Sequence, residues 1–294
     1  MNGRPSPAAP RDGVQGGRRV DLHAHTHFSD GLLSPDALVA LAIERQLAVL
    51  AITDHDSVEA LPRARARLSD SARAGVSLEL IPGIEISSAH EGTDLHVLGF
   101  FVDREHAGLL EHLSRFRGER VQRARTIVER LARLGAPVDP ERVMTLAGPG
   151  VVGRPHVAQA LIEAGHVEGV DDAFRRFLGA HGSAFVPRPA FRPEQAIEII
   201  HSAGGVSVLA HPGASLPVSV VEGLVAAGLR GIEVWHPQHG VATVRRYREL
   251  ARRLGLLETG GSDFHGSGRG VDLGEMPVPL TAVARLKEAA GVAA

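Results

Sequence analysis

The chain has 294 residues, with 32 Lys and Arg against 34 Asp and Glu, which leaves a formal net charge of −2 at pH 7. This near balance excludes a protein that is basic throughout, as a general nucleic-acid coat would be. Hydrophobic residues make up 44% and charged residues 22% of the chain, which is typical of a globular protein and not of disorder. The chain has no Cys, so any transition-metal site must be built from its 16 His together with Asp and Glu.

The N-terminal region lacks the apolar stretch of a signal peptide, and no apolar run approaches the roughly 18 residues that cross a bilayer. We therefore expect a cytoplasmic protein. Residues 1–17 are rich in Pro, Gly and Arg without apolar periodicity, which predicts a disordered tail.

Short β-rich runs alternate with amphipathic helical stretches after this tail, a pattern that predicts an α/β fold with parallel strands joined by helical crossovers. Seven strands are predicted, at residues 20–23, 49–52, 83–87, 96–101, 206–210, 231–235 and 256–259. Helices are predicted over Pro35–Gln46, with Ser34 as its N-cap, and over Ser57–Ala74.

The strand pattern is interrupted by a long amphipathic segment from about Glu105 to Leu134 and by three short helical pieces that reach about Gly179. We interpret residues 105–190 as a helical insertion domain. Residues 18–104 and 191–294 then form the main domain.

Metal-ligating residue types stand at the ends of the first two predicted strands. In VDLHAHTHFSDG, His23 and His25 alternate on one strand face and can point at one ion, and Asp30 follows in a loop. In AITDHDS, an apolar strand leads into His55. Taken singly, each motif has an ordinary explanation, as a chance pair of histidines or as a cap of the next helix.

Four further motifs repeat this arrangement. Glu85 of GIEIS lies in an apolar strand, where a carboxylate must be paired in a salt bridge or bound to a metal. His96 of LHVLGF is close to Glu85 in strand order, although a lone histidine there would more often be a core residue. His211 of AHPG ends a strand, and Asp263 and His265 of GSDFHG stand two apart in a Gly-rich turn.

Together these motifs supply nine nitrogen and oxygen donors at strand ends. They are His23, His25, Asp30, His55, Glu85, His96, His211, Asp263 and His265. Nine ligands exceed the needs of one ion, so two or three divalent ions are predicted, and the same nine residues form the predicted catalytic set. Clustered ions generate hydroxide at neutral pH and bind the oxygens of a phosphoryl group.

At these motifs the chain resembles the PHP (polymerase and histidinol phosphatase) family of metal-dependent phosphoesterases, over roughly Arg19 to Gly274. The resemblance implies a distorted seven-stranded (β/α) barrel formed by the main domain. It also implies a trinuclear site, commonly of manganese, with iron and zinc as alternatives.

The resemblance also implies a division of the ligands among three ions, with Glu85 bridging two of them. The first ion takes His23, His25, Glu85 and Asp263, the second Glu85, His96 and His211, and the third Asp30, His55 and His265.

Within the family, the helical insertion is most similar to that of enzymes that dephosphorylate nucleoside 3',5'-bisphosphates and trim short RNA from the 5' end. The segments RFRGERVQRARTIVERL and VVGRPHVAQAL carry this similarity. It implies that Arg120, Arg123, Arg154 and His156 bind phosphate, a role that the guanidinium fork suits. A solvated helix face is the alternative for Arg120 and Arg123. His236 of GIEVWHP ends another strand and is a further candidate for substrate contact.

The sequence therefore predicts a hydrolase in which a metal-bridging hydroxide attacks the phosphate ester of a nucleoside 3',5'-bisphosphate or a short 5'-phosphorylated oligonucleotide. Three alternatives remain: a histidinol-phosphate type of small-molecule phosphatase, a non-catalytic metal-binding regulatory module, and nucleic-acid binding as the main role. The net charge of −2 and the 4% aromatic content disfavour an extended nucleic-acid track, and no membrane partner is expected.

Overall fold

The computed structural model describes residues 19–72, 75, 77–187, 191–268 and 270–292, so the tail predicted for residues 1–17 lies outside the described residues. Seven strands form one mixed sheet in which each strand neighbours the next along the chain. They are β1 Arg19–Asp21, β2 Leu47–Ile52, β3 Glu79–His90, β4 Thr93–Phe100, β5 Val206–Leu209, β6 Gly231–Trp235 and β7 Leu257–Gly260. The α/β class and all seven strand positions are confirmed.

Helices follow the strands and fill the middle of the chain. They are α1 Pro35–Glu44, α2 Leu61–Ala72, α3 Ala107–Arg133, α4 Pro140–Ala147, α5 Arg154–Glu163, α6 Val170–Ala173, α7 Pro193–Ser202, α8 Val218–Ala226, α9 Val241–Leu254 and α10 Leu280–Ala289. A π-helical turn, Phe174–Leu178, continues α6. The predicted cap of α1 is confirmed, since Ser34 Oγ accepts a hydrogen bond from the backbone N–H of Ala37 at 3.1 Å.

The prediction of parallel strands is wrong for β4, which is antiparallel to both β3 and β5. The turn between β3 and β4 consists of Glu91 and Gly92, whose φ angles are 48° and 80°. A two-residue turn of this kind joins only antiparallel strands, because a parallel connection needs a crossover of about a dozen residues. In the sequence, the short interval between the predicted strands at 83–87 and 96–101 already indicates an antiparallel pair, because it leaves no room for a crossover.

Two clusters of buried apolar side chains stabilise the fold. The larger one covers the sheet and includes Phe100, Tyr247 and Phe264, each fully buried. The smaller one is confined to residues 124–186 and includes Leu131 and Leu161. The long helix α3 belongs to both, since its first half packs on the sheet and its second half on the smaller cluster. No helix in the described ranges combines the length and hydropathy needed to span a membrane.

The helical segment, which we define as residues 107–178 from α3 to the π-helical turn, contacts the loop after β1 through backbone atoms. The N–H of Val151 donates to the carbonyl of Phe28 at 3.0 Å. Beside it, a Cβ added at Gly150 would lie 2.4 Å from the carbonyl oxygen of His27, so only glycine allows this approach.

Candidate metal centre

The nine predicted ligands converge at one edge of the sheet. Most of them follow the carboxyl ends of parallel strands, which meet at a common edge. His96 reaches the same edge from inside β4, where it pairs with Ser87 of β3, because an antiparallel strand begins where its neighbours end. The reversed direction of β4 therefore places His96 beside Glu85.

Glu85 is fully buried at the middle of this group. Five histidines surround its carboxylate: His23 Nε2, His25 Nε2 and His55 Nδ1 lie 3.2, 3.3 and 3.0 Å from Oε2, and His96 Nδ1 and His211 Nε2 lie 2.8 and 2.9 Å from Oε1. The two oxygens thus face different sets of nitrogens, as a carboxylate that bridges two ions would.

Two aspartates complete the group. Asp263 Oδ1 lies 3.3 Å from His23 Nε2 and 3.1 Å from His25 Nε2, and Asp30 Oδ1 lies 3.2 Å from His265 Nε2. The backbone at Asp263 has a φ of 52°, a strained conformation for a residue with a side chain. Such strain is commonly found at functional sites.

Three sets of donor atoms are close enough to share an ion, with all atoms of a set within 4.8 Å of one another. These sets are His23, His25, Glu85 and Asp263; His25, Asp30, His55 and His265; and His55, Glu85 and His96. They overlap closely with the division that the family resemblance implies. The differences are that His25 joins two sets and that His55 accompanies Glu85 and His96, where the resemblance placed His211.

Buried carboxylates and imidazoles of the centre shift one another's pKa values strongly, and some of their atoms are left without a hydrogen-bond partner. Burial acts to raise the pKa of Glu85, yet His55, His96 and His23 together hold that pKa well below its usual range. Burial acts to lower the pKa of His25, yet the nearby carboxylates of Asp263 and Glu85 raise it to about 10. Within the described residues, the buried atoms His25 Nε2 and His55 Nδ1 have no hydrogen-bond partner. A cluster of buried carboxylates and imidazoles therefore fits divalent metal ions.

Glu233 orients two of the ligands. Its buried carboxylate lies 3.1 Å from His23 Nδ1 and accepts a hydrogen bond from the backbone N–H of His211 at 2.8 Å. A carboxylate behind a metal-binding imidazole fixes the tautomer and the ring direction.

Asp21 and Asp54 have a similar role and were missed by the sequence analysis. Asp21 accepts hydrogen bonds from the backbone of His23 and from Ser262, which precedes Asp263. Asp54 accepts hydrogen bonds from Thr26 and Ser29 in the loop before Asp30. The sequence does contain a sign of this role, because each aspartate is a charged residue at the end of an apolar run and lies within two residues of a predicted ligand.

The arginines assigned to phosphate binding engage protein groups. Arg120 contacts the Asp56 carboxylate through Nε at 2.8 Å and Nη2 at 2.5 Å, and donates to Ser87 Oγ at 2.9 Å. Arg123 is buried and donates through Nε to the Val186 carbonyl at 2.8 Å. Both side chains contact the protein, in contrast to the solvated helix face considered as their alternative.

The other two candidates start helix α5. Arg154 Nη2 lies 2.7 Å from Asp94 Oδ2, and its guanidinium stacks 5.5 Å from the centre of the Phe174 ring. His156 Nδ1 accepts a hydrogen bond from the backbone N–H of Gly153 at 2.9 Å and so caps this helix. Arg154 thereby joins the helical segment to the β3–β4 hairpin.

Two cavities flank the metal centre. The lining of a cavity of about 690 Å³ includes Asp30, Asp263, His265 and His236, together with Pro155 and Phe174 of the helical segment. A second one of about 340 Å³ lies beside His96, His211 and Asp94. His236 Nε2 lies 3.3 Å from Asp263 Oδ2, so this predicted substrate residue is at the first cavity.

Comparison with known proteins agrees with this geometry. The PHP domain family matches residues 21–177. The chain is 39% identical to the 5'-3' exoribonuclease Rnm of Escherichia coli K12, over 86% of this chain and 87% of that protein. It is 32% identical to the 3',5'-nucleoside bisphosphate phosphatase of Chromobacterium violaceum, over 85% of this chain and 88% of that protein.

Solved structures give the same result. A Bifidobacterium adolescentis protein, provisionally described as a metal-dependent phosphoesterase, superposes with a TM-score of 0.85 and 32% identity and covers 94% of this chain and 97% of its own. A Chromobacterium violaceum amidohydrolase, solved with sulfate and without metal, has a TM-score of 0.83 and 31% identity over 92% and 96% of the two chains. The chain therefore belongs to the PHP domain family, and it is a metal-dependent phosphoesterase.

Proposed function

We propose that the chain hydrolyses phosphate esters of nucleoside 3',5'-bisphosphates and of short 5'-phosphorylated oligonucleotides. The observation that carries this proposal is the position of the nine donors between two cavities, one of which has room for a nucleoside. The names of the two relatives, an exoribonuclease and a nucleoside bisphosphate phosphatase, support the same substrates. A cytoplasmic location stays a prediction.

The nine donors would hold two or three divalent ions, with manganese as our choice ahead of iron and zinc. Bound ions would supply a hydroxide at neutral pH and neutralise the charge of the phosphoryl oxygens. Glu233, Asp21 and Asp54 would hold the ligands in place during the reaction. His236, at the larger cavity, would donate a hydrogen bond to a substrate oxygen.

Arg154 is the best placed of the arginines for a second phosphate. Its side chain lies between the two cavities, and its partner Asp94 lines the smaller one. A phosphate that replaced Asp94 would gain a bidentate contact with the guanidinium. Arg120 and Arg123 would act from further away, by holding α3 against Asp56 and Val186.

We also propose the architecture of a distorted barrel with an insertion. Backbone hydrogen bonds from Leu22 N–H to the Gly260 carbonyl and from His25 N–H to the Phe264 carbonyl, 3.2 and 2.9 Å long, connect the chain after β1 with the chain at β7. The separate apolar cluster of residues 124–186 supports an insertion domain over residues 105–190.

Phosphate release by the manganese-reconstituted protein tests this function. The panel is adenosine 3',5'-bisphosphate, adenosine 5'-monophosphate, histidinol phosphate and a 5'-phosphorylated trinucleotide. We expect the bisphosphate and the trinucleotide to be hydrolysed best. Asp263→Ala should abolish release, while Asp70→Ala, which removes an exposed carboxylate from α2, should not.

Two outcomes would contradict the proposal. Preference for histidinol phosphate would favour a small-molecule phosphatase with the same metal centre. No release from any substrate with manganese, iron or zinc would favour a regulatory metal-binding module.

A further inference from the structure

An arginine-lined groove of about 640 Å³ runs along helix α9, outside the metal centre. Its charged lining consists of four arginines, Arg245, Arg248 and Arg252 of α9 and Arg285 of α10, and of two glutamates, Glu249 and Glu258. The three arginines of α9 are three and four residues apart and therefore share one helix face. That face is turned away from the core, because α9 buries a different set of residues, Thr243, Tyr247, Leu250 and Ala251.

The charge of this groove differs from that of the chain as a whole. Helix α9, with the sequence VATVRRYRELARRL, contains five arginines and one glutamate, whereas the net charge of the chain is −2. Arg248 pairs with Glu258 at 3.2 Å. Arg245, Arg252 and Arg285 are exposed and form no ion pair with any carboxylate in the described ranges.

Exposed arginines elsewhere in the protein are commonly paired. Arg142 makes two hydrogen bonds to Glu163, and Arg175 contacts Asp172. Surface pairing of this kind needs no function. In the groove, four guanidinium groups from two helices outnumber the two carboxylates, which leaves an excess of positive charge that attracts anions.

One end of the groove, at Val241, follows directly on the loop that leads out of the large cavity. Val241, the first residue of α9, lines the groove and is 70% exposed. The loop of residues 236–240 connects it to β6 and carries His236, which lines the large cavity. An extended anion that leaves this cavity over the loop would therefore meet the first turn of α9 and then the arginines that follow it.

We propose that this groove binds the phosphates of an RNA strand downstream of the nucleotide held at the metal centre. Arg245 and Arg252 are about 10 Å apart along the helix, which is enough for a few consecutive phosphates and not for a long track. None of the described residues that line the groove is aromatic. Recognition would rest on the backbone and would be independent of base sequence. The inference rests on the proposed function, because it needs RNA as a substrate.

The test compares a triple variant, Arg245→Ala with Arg252→Ala and Arg285→Ala, with a matched control. The control replaces three exposed arginines outside the groove, Arg65, Arg125 and Arg133, by Ala. In the manganese-reconstituted protein, the ratio of kcat/KM for a 5'-phosphorylated 15-nucleotide RNA to that for adenosine 3',5'-bisphosphate should fall about tenfold in the groove variant only.

Salt dependence gives a second readout that a structural role would not change. Fluorescence anisotropy of the 15-nucleotide RNA in EDTA measures affinity without hydrolysis. The slope of log affinity against log salt should become shallower by about 2 in the groove variant. Equal slopes and an unchanged ratio would overturn the inference while leaving bisphosphate hydrolysis intact. Failure of the unchanged protein to hydrolyse the bisphosphate would count against the proposed function, and the anisotropy would still report on the groove.

Discussion

The metal centre and the helical segment of residues 107–178 both carry many charged side chains, but these side chains contact different partners. At the metal centre, five histidines surround the carboxylate of Glu85, and the buried atoms His25 Nε2 and His55 Nδ1 have no hydrogen-bond partner within the described residues. In the helical segment, Arg120, Arg154 and their neighbours contact carboxylates and carbonyl groups of the protein.

The donors of the metal centre therefore still have nitrogen atoms available for metal ions, whereas the arginines of the helical segment already have protein partners. Histidines gathered around buried carboxylates gain little unless metal ions occupy the space between them. An arginine paired with an aspartate must exchange that partner to bind substrate, so it contributes less affinity. The centre is therefore expected to determine whether the protein reacts at all, and the helical segment to determine which substrate it prefers.

Removing a charge from the metal centre should give the largest loss of activity. Glu85→Gln removes the charge that faces both sets of histidines. Since changes of residues behind a metal ligand typically cost 10- to 100-fold, we expect a loss of kcat/KM greater than about 100-fold and fewer bound ions. Metal analysis by mass spectrometry and phosphate release measure this. Glu163→Gln, an exposed carboxylate of the helical segment, is the control, and a similar loss there would remove the distinction between the two regions.

Removing an arginine from the helical segment should give a smaller loss that is confined to substrates with a second phosphate. Arg154→Ala removes the bond to Asp94, and we expect KM for adenosine 3',5'-bisphosphate to rise about tenfold, with kcat and metal content little changed. Arg142→Ala, which breaks the exposed pair with Glu163, should leave KM unaltered. An equal rise of KM for adenosine 5'-monophosphate would show that Arg154 does not bind the second phosphate.

The smallest expected effect is a pH dependence of the metal-free protein. The pKa of His25 is raised from 6.5 to about 10, so its contribution to the free energy of unfolding is complete below pH 6.5 and is lost as pH rises towards 10. We expect the melting temperature in EDTA to fall by a few degrees between pH 7 and 10. With metal bound, the trend over pH 6 to 8 should reverse, because ligands must be deprotonated. If the melting temperature of a His25→Asn protein in EDTA fell by the same amount between pH 7 and 10, deprotonation of His25 would not be the cause.

The strand positions and the gathering of nine donors at one edge of the sheet could be predicted, because most of the donors end, interrupt or closely follow an apolar strand, where a charged or titratable side chain needs a reason. The direction of β4 depended on the two-residue turn at Glu91 and Gly92, which the general alternation of strands and helices conceals. The partners of Arg120 and Arg154 are far away in the chain, so no local pattern indicates them.

The backbone contact of Val151 and Gly150 with residues 27 and 28 has a thermodynamic consequence. The loop it holds also carries Asp30, a donor of the metal centre, and the helical segment that holds it also carries Phe174 at the cavity wall. A ligand that moves the helical segment thereby changes the energy of the conformation that Asp30 needs. Thermodynamic linkage is reciprocal. If bound substrate changes the affinity of the ion at Asp30 by some factor, the bound ion changes the affinity of the substrate by the same factor.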